Sequence, residues 1–203
     1  MQNDGKSLFA ANGMLHVKDV LSKELCNYLS HVMMRYGAIQ RQTKGDQQVP
    51  GCLSYMDHDI VFETVHEMLW PEIEAVLGME LLPTYAYARL YQNGNTLEKH
   101  SDRDECEISV TLQLGRSHHY AWPIHMGNTR IDLAEGDAVI YAGNKLEHWR
   151  NVCDGPNGYY SGQVFLHFVA ANGEHKKLFG DPSIRKIQPN HYVKNRTFLM
   201  EQK

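Results

Sequence analysis

The sequence predicts a mostly β, α+β protein: a jelly roll backed by amino-terminal helices. Three observations carry that expectation. From Pro83 onward apolar and polar residues alternate with a period of two. Turn signals cut that region into short segments about ten residues apart. Before Pro83 the dominant spacing is helical, with a single short strand-like run at Met14-Leu15-His16-Val17.

The elements follow in chain order. Ser22 is placed to cap a helix, with Glu24 in its first turn. Leu25, Leu29, Val32, Met33 and Tyr36 share one face of that helix, and Gly37 is expected to stop it in a left-handed conformation. Residues 40–57 hold Gly45, Asp46, Pro50 and Gly51 among polar neighbours and read as a loop. A second helix is expected over 59–78, broken or kinked at Trp70-Pro71 and ended by Gly78. The apolar stripes of both helices read as core that buttresses a sheet. Eight strands then follow at 84–92, 98–103, 107–114, 120–126, 129–133, 137–141, 147–152 and 161–170. Asn93-Gly94, Gly115, Gly127-Asn128, Gly136-Asp137, Gly143-Asn144 and Gly155 to Gly158 separate them. Eight such strands suit a sheet closed on itself. One domain is expected over 1–203, with helical support at 14–82, the jelly-roll core at 83–170 and a basic tail at 171–203.

Composition narrows the function classes. With 42% hydrophobic and 22% charged residues the chain reads as globular, and no apolar run is long enough to span a bilayer. Met1 to Lys6 lacks the basic and then apolar build of a signal peptide, so a cytoplasmic location is expected. Cys26, Cys52, Cys106 and Cys153 form no paired framework and read as reduced thiols. The net charge of −4 is uneven: residues 174–203 hold seven bases and three acids, leaving thirteen bases against twenty-one acids elsewhere. A basic tail suits an acidic partner, nucleic acid included, or simply docks on the acidic body. No nucleophile elbow, phosphate loop or zinc cage is present.

The chemistry-bearing pattern is His100-Ser101-Asp102, followed by His148 in Leu146-Glu147-His148-Trp149-Arg150. On a strand, His100 and Asp102 share a face while Ser101 points away. A second strand must then bring His148 alongside. Two imidazoles and one carboxylate cap one face of an octahedral metal and leave adjacent positions open, as non-haem Fe(II) oxygenases require. His125 and His167 are alternative ligands without a His-x-Asp partner that fits the strand order as well. Trp149 faces away from His148 and reads as packing. His118-His119 either line the mouth or lie in solvent, and Lys99 and Arg103 flank the triad within a field mixed by Asp104, Glu105 and Glu107.

Tyr91-Gln-Asn-Gly94 through His100-Ser-Asp102 resembles the Tyr-x-x-Gly…His-x-Asp run of prolyl-hydroxylase-like Fe(II)/2-oxoglutarate dioxygenases. Glu107 to Leu114 resembles the next core strand of that family. Leu133-Ala-Glu-Gly136-Asp137-Ala-Val-Ile-Tyr141 resembles its Pro-x-x-Gly-x-Ala-x-x-Phe turn and strand, and Glu147-His148 its distal histidine. The likeness covers roughly residues 14–170. It implies a double-stranded β-helix that holds Fe(II) through His100, Asp102 and His148. It also implies 2-oxoglutarate and O₂ as cosubstrates, ascorbate as activator, succinate and CO₂ as products, and hydroxylation of a peptidyl or amino-acid side chain. Tyr91 then falls where family members hold the far carboxylate of 2-oxoglutarate.

The basic residue that the family places nine to fifteen positions past the distal histidine is missing, because Asn157 to Gln163 contains none. A buried dianion needs a cation. Arg150, two residues after His148, is the first candidate for its planar fork; Arg89, on the face of Tyr91, is the second, with Gln113 and Gln163 as neutral donors. The alternatives are a cupin-like jelly-roll module that binds a metal or small molecule without activating O₂, and a nucleic-acid module using the tail. Halogenation is disfavoured because Asp102 is present. The identity of the substrate, peptide, protein or small molecule, and the oligomeric state stay open.

Overall fold

The structure, a computed structural model, describes residues 4–38 and 47–179. The basic segment past Phe179 and the first part of the 40–57 loop lie outside the described residues. Three α-helices precede most of the strands: α1 (Asp4–Asn12), α2 (Lys23–Ala38) and α3 (Ile60–Leu77). The strands are β1 (Met14–Val17), β2 (Ser54–Asp57), β3 (Leu81–Gln92), β4 (Leu97–His100), β5 (Ile108–Arg116), β6 (Ile124–Met126), β7 (Thr129–Ile131), β8 (Ala138–Tyr141), β9 (His148–Arg150) and β10 (Tyr160–Ala170). They form two sheets, antiparallel throughout: β1-β8-β5-β10-β3-β2 and β4-β9-β6-β7. The jelly roll expected from the sequence is present, and each of the eight expected strands overlaps an observed one.

Three expectations are corrected and one helix is added. The 40–57 loop ends in β2, which joins the edge of the larger sheet through Ser54↔Leu90 to Asp57↔Tyr87. Helix α2 runs through Gly37 to Ala38, since a glycine in a last turn loosens a helix without forcing its end. Helix α3 continues through Pro71 without a break, with Leu69, Trp70 and Ile73 buried around it and Trp70 Nε1 donating to the Leu81 carbonyl at 3.0 Å. Helix α1, which the sequence reading left out, packs on β1 and α3. Two caps are as expected. Ser22 Oγ accepts from the Leu25 N–H at 3.3 Å, and Gly78 closes α3 at φ 61°, a left-handed conformation that costs glycine little.

The larger sheet has two unlike faces. One face of the central strands, Ala86, Ala88 and Leu90, Val110, Leu112 and Leu114, Ala138 and Ile140, Val164, Leu166 and Phe168, packs on Leu29, Met33, Phe62, Val65, Leu69 and Ile73 of the helices. Each fully buried aliphatic side chain there contributes about 1.5–3 kcal/mol. The other face looks into the barrel. Pairing of β10 with β3 slips between Leu166↔Ala86 and Phe168↔Pro83, so Thr84 and Tyr85 together oppose His167. The bulge changes which residues face inward: Leu81 belongs to the helix-packed core, whereas Tyr85, Tyr87, Arg89 and Tyr91 do not.

Candidate metal centre

His100 closes β4 and pairs across the smaller sheet with His148, which opens β9. Asp102 is on no strand, contrary to the expectation of alternation along 98–103. Pairing stops at His100, and the Asp102 N–H donates instead to the Gly143 carbonyl at 2.8 Å, which turns the carboxylate toward both rings. Ligand atoms of His100, Asp102 and His148 lie within 4.8 Å of one another. Asp102 Oδ1 is 3.5 Å from His100 Nε2 and 3.6 Å from His148 Nε2.

The ring orientations suit a cation. His100 Nδ1 meets the Glu98 carbonyl at 2.8 Å and His148 Nδ1 meets that of Leu146 at 3.0 Å. A carbonyl only accepts, so each Nδ1 carries the hydrogen and each Nε2 keeps a lone pair directed at the site. Gln48 donates its side-chain amide to His100 Nε2 at 2.7 Å, in keeping with that tautomer. Burial pushes Asp102 up, but His100, His167, His148 and Ser109 outweigh it and hold the carboxyl down at about 2. Burial would depress His100, yet Asp102 and the Glu98 carbonyl raise it; His148, more deeply enclosed, is lowered by burial. One ionised carboxylate and two imidazole lone pairs fit a divalent metal bound on one face.

Gly143 fixes the approach of the surrounding chains. A Cβ there would sit 2.3 Å from the Cys106 carbonyl oxygen, 2.4 Å from Ser109 Oγ and 2.6 Å from Asp102 Oδ2. Only glycine fits without moving the backbone.

A cavity of about 480 Å³ opens on His100 and Asp102, and is also lined by Arg89, Arg103, Tyr55, Tyr85, Tyr87, Cys106, His167 and Gln48 among others. Arg89 is its buried cation, 2% exposed. Its guanidinium lies among the rings of Tyr91 (5.3 Å), Tyr87 (5.4 Å), Phe165 (5.6 Å) and Tyr55 (5.8 Å), and donates to Tyr91 Oη at 2.7 Å and Gln48 Oε1 at 3.1 Å. Arg150 does not line this cavity, and neither does His148. Arg150 lies over the Trp122 ring at 5.0 Å and donates Nη1 to the Trp122 carbonyl, and Nη2 has no hydrogen-bond partner among the described residues. Burial lowers the Arg150 guanidinium to about 10. Gln113 and Gln163 face each other on β5 and β10, joined by a 3.0 Å bond from Gln163 Nε2 to Gln113 Oε1, and are also off the cavity wall. Tyr91 is fully buried and is joined to the site through Arg89.

The softer candidates separate cleanly. His118 and His119 are exposed. His125 stacks on Trp149 at 5.2 Å, with Lys99 Nζ over the same ring, so these three form a patch on the far side of β9 from His148. Arg103 pairs with Glu105 at 3.0 Å at the cavity rim. Gln48, Tyr87 and Ser109 were missed by the sequence reading. For Ser109 a signal existed: Ser109, Thr111 and Gln113 put polar groups at alternate positions of a strand whose other side is aliphatic.

No protein-family model matches the chain, and no curated protein sequence does. Solved structures do. A Pseudomonas putida prolyl-4-hydroxylase matches with a TM-score of 0.61 at 16% identity, over 82% of this chain and 98% of that one. HygX from Streptomyces hygroscopicus, with nickel and 2-oxoglutarate bound, matches at 0.65 and 9%, over 85% and 88%. A Trichoplax adhaerens prolyl hydroxylase in complex with a hypoxia-inducible-factor oxygen degradation domain peptide fragment matches at 0.63 and 11%, over 82% and 88%. The chain therefore has the double-stranded β-helix fold of prolyl-hydroxylase-like 2-oxoglutarate–Fe(II) oxygenases.

Proposed function

We propose that this chain is an Fe(II)- and 2-oxoglutarate-dependent dioxygenase that hydroxylates a peptidyl or amino-acid side chain, with release of succinate and CO₂. One observation carries the reading: two imidazole lone pairs and one carboxylate oxygen converge beside a cavity that His100 and Asp102 line and whose wall supplies a buried guanidinium. His100, Asp102 and His148 would hold the iron and leave its other face open to cosubstrate and O₂. Bound iron and 2-oxoglutarate together supply the oxidising power for an unactivated C–H bond. The chain's own part is to bind, orient and keep water out. Arg89 is the better-placed partner for the far carboxylate of 2-oxoglutarate, and Tyr91 holds Arg89 in position through its hydroxyl. Tyr55, Tyr85 and Tyr87 shield that ion pair from solvent. A groove of about 450 Å³ shares Gln47, Gln48 and His100 with the cavity and continues past Pro50, Asn95 and Lys99. That continuation away from the cavity favours an extended segment of polypeptide as substrate, as in the peptide-bound prolyl hydroxylase of the same fold.

The test is succinate formation from 2-oxoglutarate under air with Fe(II) and ascorbate, wild type against Asp102→Ala. Succinate from wild type alone is the expected result. Equal succinate from both proteins would overturn the triad. No succinate, together with no visible charge-transfer band when 2-oxoglutarate is added anaerobically to the Fe(II) protein, would leave a cupin-like binding module.

A further inference from the structure

We propose that Ser109 and His167 are positioning residues that restrict Asp102 to binding its metal through one oxygen, an inference that rests on the metal-site reading above. The two oxygens of Asp102 have different surroundings. Oδ1 faces both Nε2 atoms. Oδ2 is turned back and accepts from Ser109 Oγ at 2.9 Å.

Counting protons orders the chain of bonds behind it. Ser109 has one hydroxyl hydrogen and two acceptors in reach, Asp102 Oδ2 at 2.9 Å and the Cys106 carbonyl at 3.2 Å. The nearer, charged oxygen takes it. The Ser109 lone pair then accepts from His167 Nδ1 at 3.0 Å, so His167 carries its hydrogen on Nδ1. Burial keeps that ring neutral. His167 Nε2 has no hydrogen-bond partner among the described residues. Among the described residues the hydrogen bonding of the ring is thus confined to the end that points to Ser109, while its faces meet the rings of Tyr85 at 4.7 Å and Tyr87 at 5.6 Å.

The placement suits the task. Asp102 sits on an irregular segment, whereas Ser109 and His167 are register partners on two central strands of the larger sheet. Both are buried, at 0% and 2% exposure. Gly143 closes the remaining side, with no room for a Cβ beside Oδ2. A carboxylate free to turn can chelate through both oxygens and occupy an additional metal position. Held by Ser109, Asp102 offers Oδ1 and leaves that position to other ligands.

Mn(II) provides a test that does not depend on turnover. The metal-bound waters of the Mn(II)-loaded protein are counted by water-proton relaxation, and the carboxylate stretches are read by metal-minus-apo infrared difference spectra. Ser109→Ala should lose one bound water and narrow the gap between the antisymmetric and symmetric Asp102 stretches. Its Mn(II) affinity should fall by no more than about 10–100-fold, so saturating metal still fills the site. Ser109→Thr, which keeps the hydroxyl, should restore the wild-type count and spectrum. His167→Phe should reproduce the change and His167→Asn, which keeps a donor near Nδ1, should reverse it; this pair carries the test should Ser109→Ala fail to fold. An unchanged water count and spectrum in Ser109→Ala and His167→Phe, with wild type binding Mn(II), would overturn the inference and spare the metal site. No Mn(II) binding by wild type would overturn both.

Discussion

The two faces of the larger sheet are made by alternate residues of the same strands, yet they follow different chemistry. Val110, Leu112, Leu114, Val164 and Leu166 meet the helices and carry no side-chain polar atoms. Their neighbours Ser109, Thr111, Gln113, Gln163 and His167 face the barrel, are equally buried, and form side-chain hydrogen bonds or hold unpartnered polar atoms. Enclosure alone therefore does not make a face structural. The helix-packed face contributes stability through apolar burial. The inner face keeps costly polar groups in place, as the proposed metal and 2-oxoglutarate site would require.

Paired substitutions separate the two faces. His148→Ala should abolish Fe(II)-dependent turnover while circular dichroism shows the fold intact, since it removes one of the three proposed metal donors. Leu112→Ala, on the opposite face, should lower the unfolding free energy by about 2–5 kcal/mol and leave metal affinity unchanged. Turnover near wild type in His148→Ala, or metal loss in Leu112→Ala, would break the division.

The next largest effect depends on pH. Burial depresses His167 from 6.5 to about 4. Below 6.5 the unfolded chain binds a proton that the folded chain refuses, so stability is full above 6.5 and declines as pH falls toward 4. That decline is on the order of 3 kcal/mol, and His167→Asn should remove it from the denaturation profile of the metal-free protein. A profile of the same slope in both proteins would mean that His167 titrates normally.

A smaller effect distinguishes the two inner-face arginines. Arg89→Ala should raise the 2-oxoglutarate requirement at least tenfold, as expected for a charge-assisted pair worth roughly 1.5–3 kcal/mol. Arg150→Ala should act mainly on stability, by exposing Trp122. A larger rise in the 2-oxoglutarate requirement for Arg150→Ala would reverse the assignment.

The strand pattern was legible because its signal is local: alternation and turn residues such as Gly94, Gly127, Gly136 and Gly158, each with positive φ. The His100, Asp102 and His148 constellation was legible for a similar reason, as a motif plus strand order. Which arginine lines the cavity was not. Arg89 and Arg150 both point inward, and the choice depends on Trp122 covering Arg150, a contact between residues 28 apart in the chain. Asp102 leaving its strand was equally hidden, since its backbone partner is the distant Gly143. Strand β2 was masked by Pro50 and Gly51 beside it, although its pairing is set by β3.

The bulge at Thr84 and Tyr85 bears on how this chain tolerates changes of length. Because side chains alternate, removing one residue there would reverse the outlook of one flank of β3 relative to the other. Either Leu81 would turn toward the barrel, or Tyr85, Tyr87, Arg89 and Tyr91 would turn against the helices. Single-residue insertions and deletions in β3 should thus be far more damaging than substitutions, whereas paired ones restore the phase.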